Sequence, residues 1–208
     1  MIPAAEALQR LQEGNRRFVE SISRPESSLH QRRTVELALE QSPFAIVLGC
    51  SDSRVPGEIV FDQGLGDLFV IRVAGNIVAP SQVGSVEFAA SRFGTRLVVV
   101  LGHSHCGAVQ ATIEELQRPA ENQSPNLHSI VSRVRPCVET LLKTPLRNDP
   151  EALLHHAVRA NVSFSADHLR HGSKVLEELI RNEGLCVVGA EYSLQTGEVD
   201  FFDGAESL

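Results

Sequence analysis

The sequence predicts an α/β fold with a mostly parallel central β-sheet flanked by helices, an N-terminal helical arm and an antiparallel C-terminal edge strand. Short apolar runs that suit buried strands, at 44–49 and 97–101, alternate with longer segments of helical periodicity. The chain begins with an amphipathic helical pattern over 4–20, and a hairpin pattern over 194–199 turns at Thr196-Gly197. At 208 residues, the chain is predicted to form one domain spanning 1–208.

The remaining elements follow from periodicity and from helix-start and helix-stop residues. Pro56 is expected to open a short helix, and Gly94 suits a helix end. Loops are predicted at 21–30, 117–126 and 144–150, each of which contains proline. Further helices are predicted over 31–40, 56–61, 82–93, 107–116, 127–142, 151–170 and 173–183, and further strands over 67–73 and 185–189.

Composition restricts the classes of function. The net charge is −7, from 19 basic and 26 acidic residues, which argues against nucleic acid or an anionic membrane as the main partner. No apolar run approaches the roughly 18 residues of a membrane span, and the N-terminus lacks signal-peptide features, so we expect a cytoplasmic protein. Four cysteines are too few for a disulfide scaffold, and we interpret Cys137 and Cys186 as small buried hydrophobes.

Candidate metal ligands follow two of the predicted strands. Cys50 comes directly after strand 44–49, and His103 and Cys106 follow strand 97–101. Open α/β sheets place their chemistry at the carboxyl ends of such strands. Two thiolates and one imidazole suit zinc and leave one tetrahedral position over. His105 is the rival imidazole to His103.

A charged pair lies beside the first cysteine. Asp52 and Arg54 follow Cys50 by two and four positions. A carboxylate paired with arginine stays ionised and can only accept hydrogen bonds, so Asp52 is suited to orient a nucleophile that carries a proton. The alternative is a structural ion pair that closes a turn.

Together these residues resemble the β-class carbonic anhydrases over nearly the whole chain. The motifs that carry the resemblance are Gly14-Asn15-Arg16-Arg17-Phe18, Cys50-Ser51-Asp52-Ser53-Arg54, Arg72-Val73-Ala74-Gly75-Asn76, Gly84-Ser85-Val86-Glu87-Phe88, Gly102-His103-Ser104-His105-Cys106-Gly107, and Gly189 with Tyr192 and Thr196-Gly197.

The resemblance implies reversible hydration of CO2 to bicarbonate and a proton, by attack of zinc-bound hydroxide, with one Zn²⁺ per chain. It implies zinc on Cys50, His103 and Cys106, and a catalytic dyad of Asp52 and Arg54. In some members the aspartate becomes the fourth zinc ligand in a closed state.

Further site residues and the assembly are implied in the same way. The backbone amide of Gly107 would hold bicarbonate, Gln41 would contact substrate across a dimer, and Phe69, Ala74 and Phe88 would line the CO2 pocket. The implied assembly is a homodimer, or a dimer of dimers, in which an arm over 1–40 packs on the partner subunit.

One departure concerns regulation. Members with a regulatory bicarbonate pocket use a tryptophan, an arginine and a tyrosine. Arg72 and Tyr192 match the last two, but the tryptophan position holds Val47, and the chain contains no tryptophan. We therefore expect the site to open and close with pH without a dedicated bicarbonate effector.

Three other functions are alternatives to CO2 hydration for a chain with these residues. Relatives with the same ligands hydrolyse carbon disulfide or carbonyl sulfide. A non-catalytic structural zinc module would be expected to fill all four positions with protein ligands. A redox thiol protein is disfavoured because the chain has no Cys-x-x-Cys pair.

Overall fold

A five-stranded sheet forms the centre of the fold. The computed structural model describes residues 2–22, 41–118 and 124–208. The strands lie in the order β2-β1-β3-β4-β5; the first four run parallel, and β5 is antiparallel to β4. The predicted fold class is therefore confirmed. The strands are β1 Ala45–Gly49, β2 Leu68–Arg72, β3 Leu97–His103, β4 Cys186–Tyr192 and β5 Val199–Asp203.

Helices cover both faces of this sheet. They are α1 Ala4–Ile22, α2 Gly57–Val60, α3 Pro80–Arg92, α4 Gly107–Gln117, α5 Pro125–Leu141, α6 Pro150–His171 and α7 Lys174–Glu183, with 3-10 turns at Ala74–Asn76, Pro145–Asn148 and Ala205–Ser207. The side chains of Asp149 and Ser173 cap α6 and α7 by accepting backbone N–H bonds. The predicted helix over 31–40 lies outside the described residues.

Two apolar layers sandwich the sheet because alternate strand residues point to opposite faces. On one face, Val47 and Val99 pack in a cluster with Leu11 of α1. On the other face, residues of α3, α6 and α7 cover Ile46 and Val98. The strands β1 and β3 are buried along their whole length, which explains their uninterrupted apolar sequences.

Helix α1 packs on the sheet of its own chain. Leu11 is fully buried there, and Asn15 donates to the carbonyls of Val60 and Gly197 while accepting from the N–H of Val199. These bonds join the start of the chain to the turn between β4 and β5. Contact of this arm with a partner subunit stays a prediction, as does the single-domain assignment.

The strand order reverses direction at β1. The chain leaves β1 for β2 on one side, whereas β3 lies on the other side of β1 and leads to β4. This reversal is the topological switch point at which open α/β sheets bind ligands. Among the described residues, no helix combines the length and apolar character needed to cross a membrane. The cytoplasmic location stays a prediction.

Candidate metal centre

Three potential metal ligands meet at this switch point. Cys50 directly follows β1, His103 is the last residue of β3, and Cys106 immediately precedes α4. Their ligand atoms all lie within 4.8 Å of one another, and the three residues are at most 5% exposed. The rival imidazole, His105, is exposed and is not part of this group. The fold thus brings Cys50 next to His103, which lies 53 positions later in the sequence.

The ring of His103 is oriented to offer a lone pair. Its Nδ1 lies 2.9 Å from the carbonyl oxygen of Ser104, and we assign the ring proton to that nitrogen because a carbonyl can only accept. The buried Nε2 is then an acceptor, and it has no hydrogen-bond partner among the described residues. A metal ion would satisfy this nitrogen, and the sulfur and imidazole donors suit Zn²⁺.

The two thiols differ in acidity. Hydrogen bonds from the Cys106 thiol and the Gly75 N–H outweigh burial and lower the pKa of Cys50 to about 4. Contact with Cys50 and burial raise the pKa of Cys106, although the N–H groups of Val109 and Ala108 at the start of α4 oppose this. Binding of a cation by both sulfurs would therefore release the proton of Cys106.

The Asp52–Arg54 pair stands next to the ligands. Arg54 donates from Nε to Oδ1 at 2.9 Å, from Nη2 to Oδ2 at 2.7 Å, and from its backbone N–H to Oδ1 at 3.0 Å. These bonds hold the pKa of the Asp52 carboxyl well below its usual range. Oδ2 also lies 3.8 Å from Nε2 of His103. The ionised Asp52 carboxylate therefore lies beside the ligand group and is at the same time hydrogen-bonded to Arg54.

Arg72 fixes the backbone of the same loop. Its Nε donates to the carbonyl of Cys50 at 3.0 Å, and its Nη2 donates to the carbonyl of Asp52 at 2.5 Å. The sequence alone did not indicate this contact. Tyr192 is buried at the end of β4, three strand spacings or about 14 Å across the sheet from β2. The expectation that the site works without a dedicated bicarbonate effector, although Arg72 and Tyr192 match two residues of the regulatory pocket, stays a prediction.

The residues expected to contact substrate are spread more widely. Gly107 is the exposed first residue of α4, Ala74 is half-buried in the turn after β2, and Gln41 is exposed before β1. Phe69 pairs in register with Ile46, four residues before Cys50 and so about 13 Å along the strand.

The two predicted phenylalanines lie together. Phe69, Phe88 and Phe93 form an aromatic cluster with ring centroids 5.6 to 6.2 Å apart. Phe88 is 53% exposed, so this cluster is partly open at the surface. Phe69 lies in the half of β2 that is farther from Cys50, whereas Phe88 belongs to α3 and Phe93 follows it, so the cluster is away from the thiol groups of the same chain.

The geometry defines a class of site. Three buried protein ligands converge at the switch point of a parallel sheet, and a paired carboxylate stands beside them. Catalytic zinc sites hold the metal with three protein ligands and keep a further position for water or substrate, whereas structural sites are closed by four. The site is of the type found in metalloenzymes.

A model of the carbonic anhydrase family matches residues 45–199. The chain therefore belongs to that family, and it is an enzyme of its β class. The chain is 37% identical over 197 residues to carbonic anhydrase 2 of Mycobacterium tuberculosis, covering 92% of this chain and 89% of the relative. It is also 37% identical over 194 residues to the carbonic anhydrase of Mycolicibacterium smegmatis, covering 93% and 91%.

Solved structures show the same fold. The β-carbonic anhydrase CafA of Aspergillus fumigatus superposes with a TM-score of 0.74 at 26% identity, covering 96% of this chain and 90% of that one. A tetrameric β-carbonic anhydrase from Sordaria macrospora gives a TM-score of 0.71 at 22% identity, covering 88% and 89%.

Proposed function

We propose that this protein catalyses the reversible hydration of CO2 to bicarbonate and a proton, with one Zn²⁺ per chain held by Cys50, His103 and Cys106. The observation that carries the proposal is the convergence of these three buried ligands beside an ionised carboxylate; one ligand offers an imidazole nitrogen that has no partner in the described part of the chain. Membership of the carbonic anhydrase family supports the reaction. Zinc, when bound, supplies a nucleophile near neutral pH because it lowers the pKa of water.

Asp52 would orient the hydroxyl nucleophile. Its Oδ1 accepts two hydrogen bonds from Arg54, whereas Oδ2 accepts from Nη2 and faces His103. Oδ2 therefore retains capacity to accept the nucleophile's proton, which leaves an oxygen lone pair free to attack CO2. Arg54 keeps the carboxylate ionised and fixed, and Arg72 holds the loop backbone that carries it.

Bicarbonate would be received at the start of α4. The backbone N–H of Gly107 is one of the helix-terminal donors that have no partner within the helix. Such donors and the positive end of the helix dipole favour an anion. Gly107 follows Cys106 directly, so this donor is adjacent to a metal ligand.

We further propose that the protein assembles as a homodimer, with a dimer of dimers as the larger form. The exposed Phe69–Phe88–Phe93 cluster is apolar surface that a second copy would cover. Across such an interface, Phe69, Phe88 and Gln41 would approach the partner's site, while Ala74 would line the site of its own chain. The tetrameric state of the Sordaria macrospora relative is compatible with the larger assembly.

Two alternative functions, a structural zinc site and hydrolysis of a sulfur-containing substrate, would use the same ligands. A structural zinc site would engage Asp52 as a fourth ligand, and the bidentate pairing of Asp52 with Arg54 argues against permanent ligation. In a closed state the carboxylate would have to leave Arg54. Hydrolysis of carbonyl sulfide or carbon disulfide is distinguished by assaying those substrates beside CO2.

Stopped-flow CO2 hydration with a pH indicator, on protein of measured zinc content, tests the proposal. Asp52→Asn keeps the size of the side chain but loses its charge, and we expect kcat/KM to fall about 100-fold because the nucleophile is misplaced. Asp62→Asn is the matched control, since Asp62 accepts from Arg17 in a similar ion pair on the surface. Absence of hydration by zinc-loaded wild type, or full activity of Asp52→Asn, would refute the proposal.

A further inference from the structure

A tight turn links the two ligand loops. The N–H of Gly75 donates to the sulfur of Cys50 at 3.3 Å. Gly75 has a φ of +70°, which favours glycine, and a Cβ built there would lie 3.1 Å from the Cβ of Ala108. Since Ala108 is the second residue of α4, the turn is wedged between Cys50 and the helix that begins after Cys106.

Asn161 reaches this turn from α6. The side chain is 1% exposed and shares the buried face of the helix with Ala157, Val158 and Val162. Its Nδ2 donates to the carbonyl of Gly75 at 2.8 Å. Its Oδ1 has no hydrogen-bond partner among the described residues.

An amide at this position costs stability. A leucine would bury a side chain of similar size without leaving a polar atom unpaired. Asn15 makes the contrast clear, because both polar atoms of that buried amide are bound to backbone groups. The single bond from Asn161 is therefore directed at one target, the carbonyl of Gly75.

The hydrogen bond from Asn161 to the Gly75 carbonyl also restricts the direction of the Gly75 N–H. Glycine torsions are soft, so the peptide groups that flank Gly75 need external anchors. The N–H of Asn76 donates to the carbonyl of Val73 at 3.0 Å and closes the turn. The carbonyl of Gly75 belongs to the same peptide group as the N–H of Asn76, so the bond from Asn161 fixes that group from its other side. With this peptide group held from both sides, rotation about Gly75 is limited, and the preceding N–H stays aimed at the sulfur.

We propose that Asn161 is a positioning residue for the metal centre, holding Gly75 so that its N–H donates to the Cys50 thiolate and sets the charge that this sulfur presents to the metal. A hydrogen bond to a ligating sulfur withdraws electron density from it and fixes its direction. This inference rests on the proposed zinc site.

The test compares wild type with Asn161→Leu in two assays. Zinc affinity is measured by competition with a chromogenic chelator, and we expect about tenfold weaker binding, as is typical when a group that orients a ligand is removed. The cobalt-substituted protein is examined by absorption spectroscopy. With the N–H bond to sulfur weakened, we expect the thiolate-to-cobalt charge-transfer band to move to longer wavelength.

Asn15→Leu is the control, since it removes a buried amide whose hydrogen bonds go to Val60, Gly197 and Val199 and not to the loops that carry the ligands. We expect it to lower the free energy of unfolding but to leave zinc affinity and the cobalt spectrum unchanged. If Asn161→Leu does not fold, Asn161→Ala, which adds no bulk, carries the same expectation.

Three results would overturn the inference. One is a position-161 variant with wild-type zinc affinity and an unshifted cobalt band. Another is an equal loss of affinity in Asn15→Leu, which would indicate general destabilisation. Failure of wild type itself to bind zinc or cobalt would overturn the proposed zinc site as well, so the two failures are distinguishable.

Discussion

Gly102→Ala tests how closely helix α6 approaches the sheet beside the metal ligands. A Cβ at Gly102 would overlap the Cγ2 methyl of Val162, a fully buried residue of α6. Overpacking of this kind costs about 1–3 kcal/mol. The loss of glycine freedom in the unfolded chain returns about 0.4–1 kcal/mol. The expected net destabilisation is about 1–2 kcal/mol.

Urea unfolding measures this difference. With a slope of about 2 kcal/mol per M, the midpoint of Gly102→Ala should fall by about 0.5–1 M. Gly57→Ala is the matched control, because its added Cβ would meet its nearest neighbour, Val47 Cγ1, at an ordinary 3.6 Å. Val162→Ala should partly rescue Gly102→Ala, so that the double variant loses less than the sum of the single losses. Additive losses, or an unchanged midpoint in Gly102→Ala, would refute the reasoning.

Three further predictions concern association, pH and the core. Phe88→Asp should shift sedimentation towards monomers, because a charge replaces a 53% exposed ring of the proposed interface; an unchanged mass would contradict that interface. Burial raises the pKa of Cys137 to about 11 from 9.0. Because the unfolded chain loses this proton at lower pH than the folded chain, the free energy of unfolding should fall as the pH rises between those two values. Cys137→Ala should make this fall smaller in urea titrations. Leu11→Ala should cost about 2–5 kcal/mol in calorimetry or urea unfolding, since Leu11 is fully buried; a loss under 1 kcal/mol would contradict the packing of α1.

The sequence contained enough information to predict the strands that carry the ligands. The apolar runs at 44–49 and 97–101 correspond to β1 and β3, because strands buried on both faces need apolar side chains throughout. Cys50 follows the first run directly, His103 and Cys106 come within five residues of the second, and the structure brings the three together. The positions of the strands and of the polar residues that follow them in the sequence were therefore sufficient to predict this ligand group.

The strand ends were harder to predict. The predictions ended the third strand at 101 and the fourth at 189, but β3 continues to His103 and β4 to Tyr192. Glycine interrupts the apolar pattern in both strands. The side chain of Val162 leaves no room for a Cβ at Gly102 or Gly189; at Gly189 the Cβ would lie 2.9 Å from Cγ1 of Val162. This requirement comes from a helix some 60 residues away from Gly102 and leaves no local signal.

The same limitation applies to the groups around the ligands. Arg72 was noted in the sequence only as a match to one residue of the family's regulatory pocket, and its two bonds to the loop of Cys50 and Asp52 became visible only in three dimensions. Asn161 gave no signal beyond a polar residue in an amphipathic helix. Hydrogen bonds to backbone groups depend on distances between distant segments, and a side-chain pattern does not encode them.

The pairing of β1 with β3 has a consequence for how the enzyme acquires its metal. Cys50 and Cys106 belong to loops that become neighbours only after the two strands have joined in register. An unfolded chain therefore offers no compact ligand set, unlike a short zinc finger whose ligands are close in sequence. Metal would bind the native state selectively at the proposed site, so its binding free energy would add to resistance against unfolding. Protein synthesised without zinc would accordingly resist unfolding less well than the zinc-loaded protein.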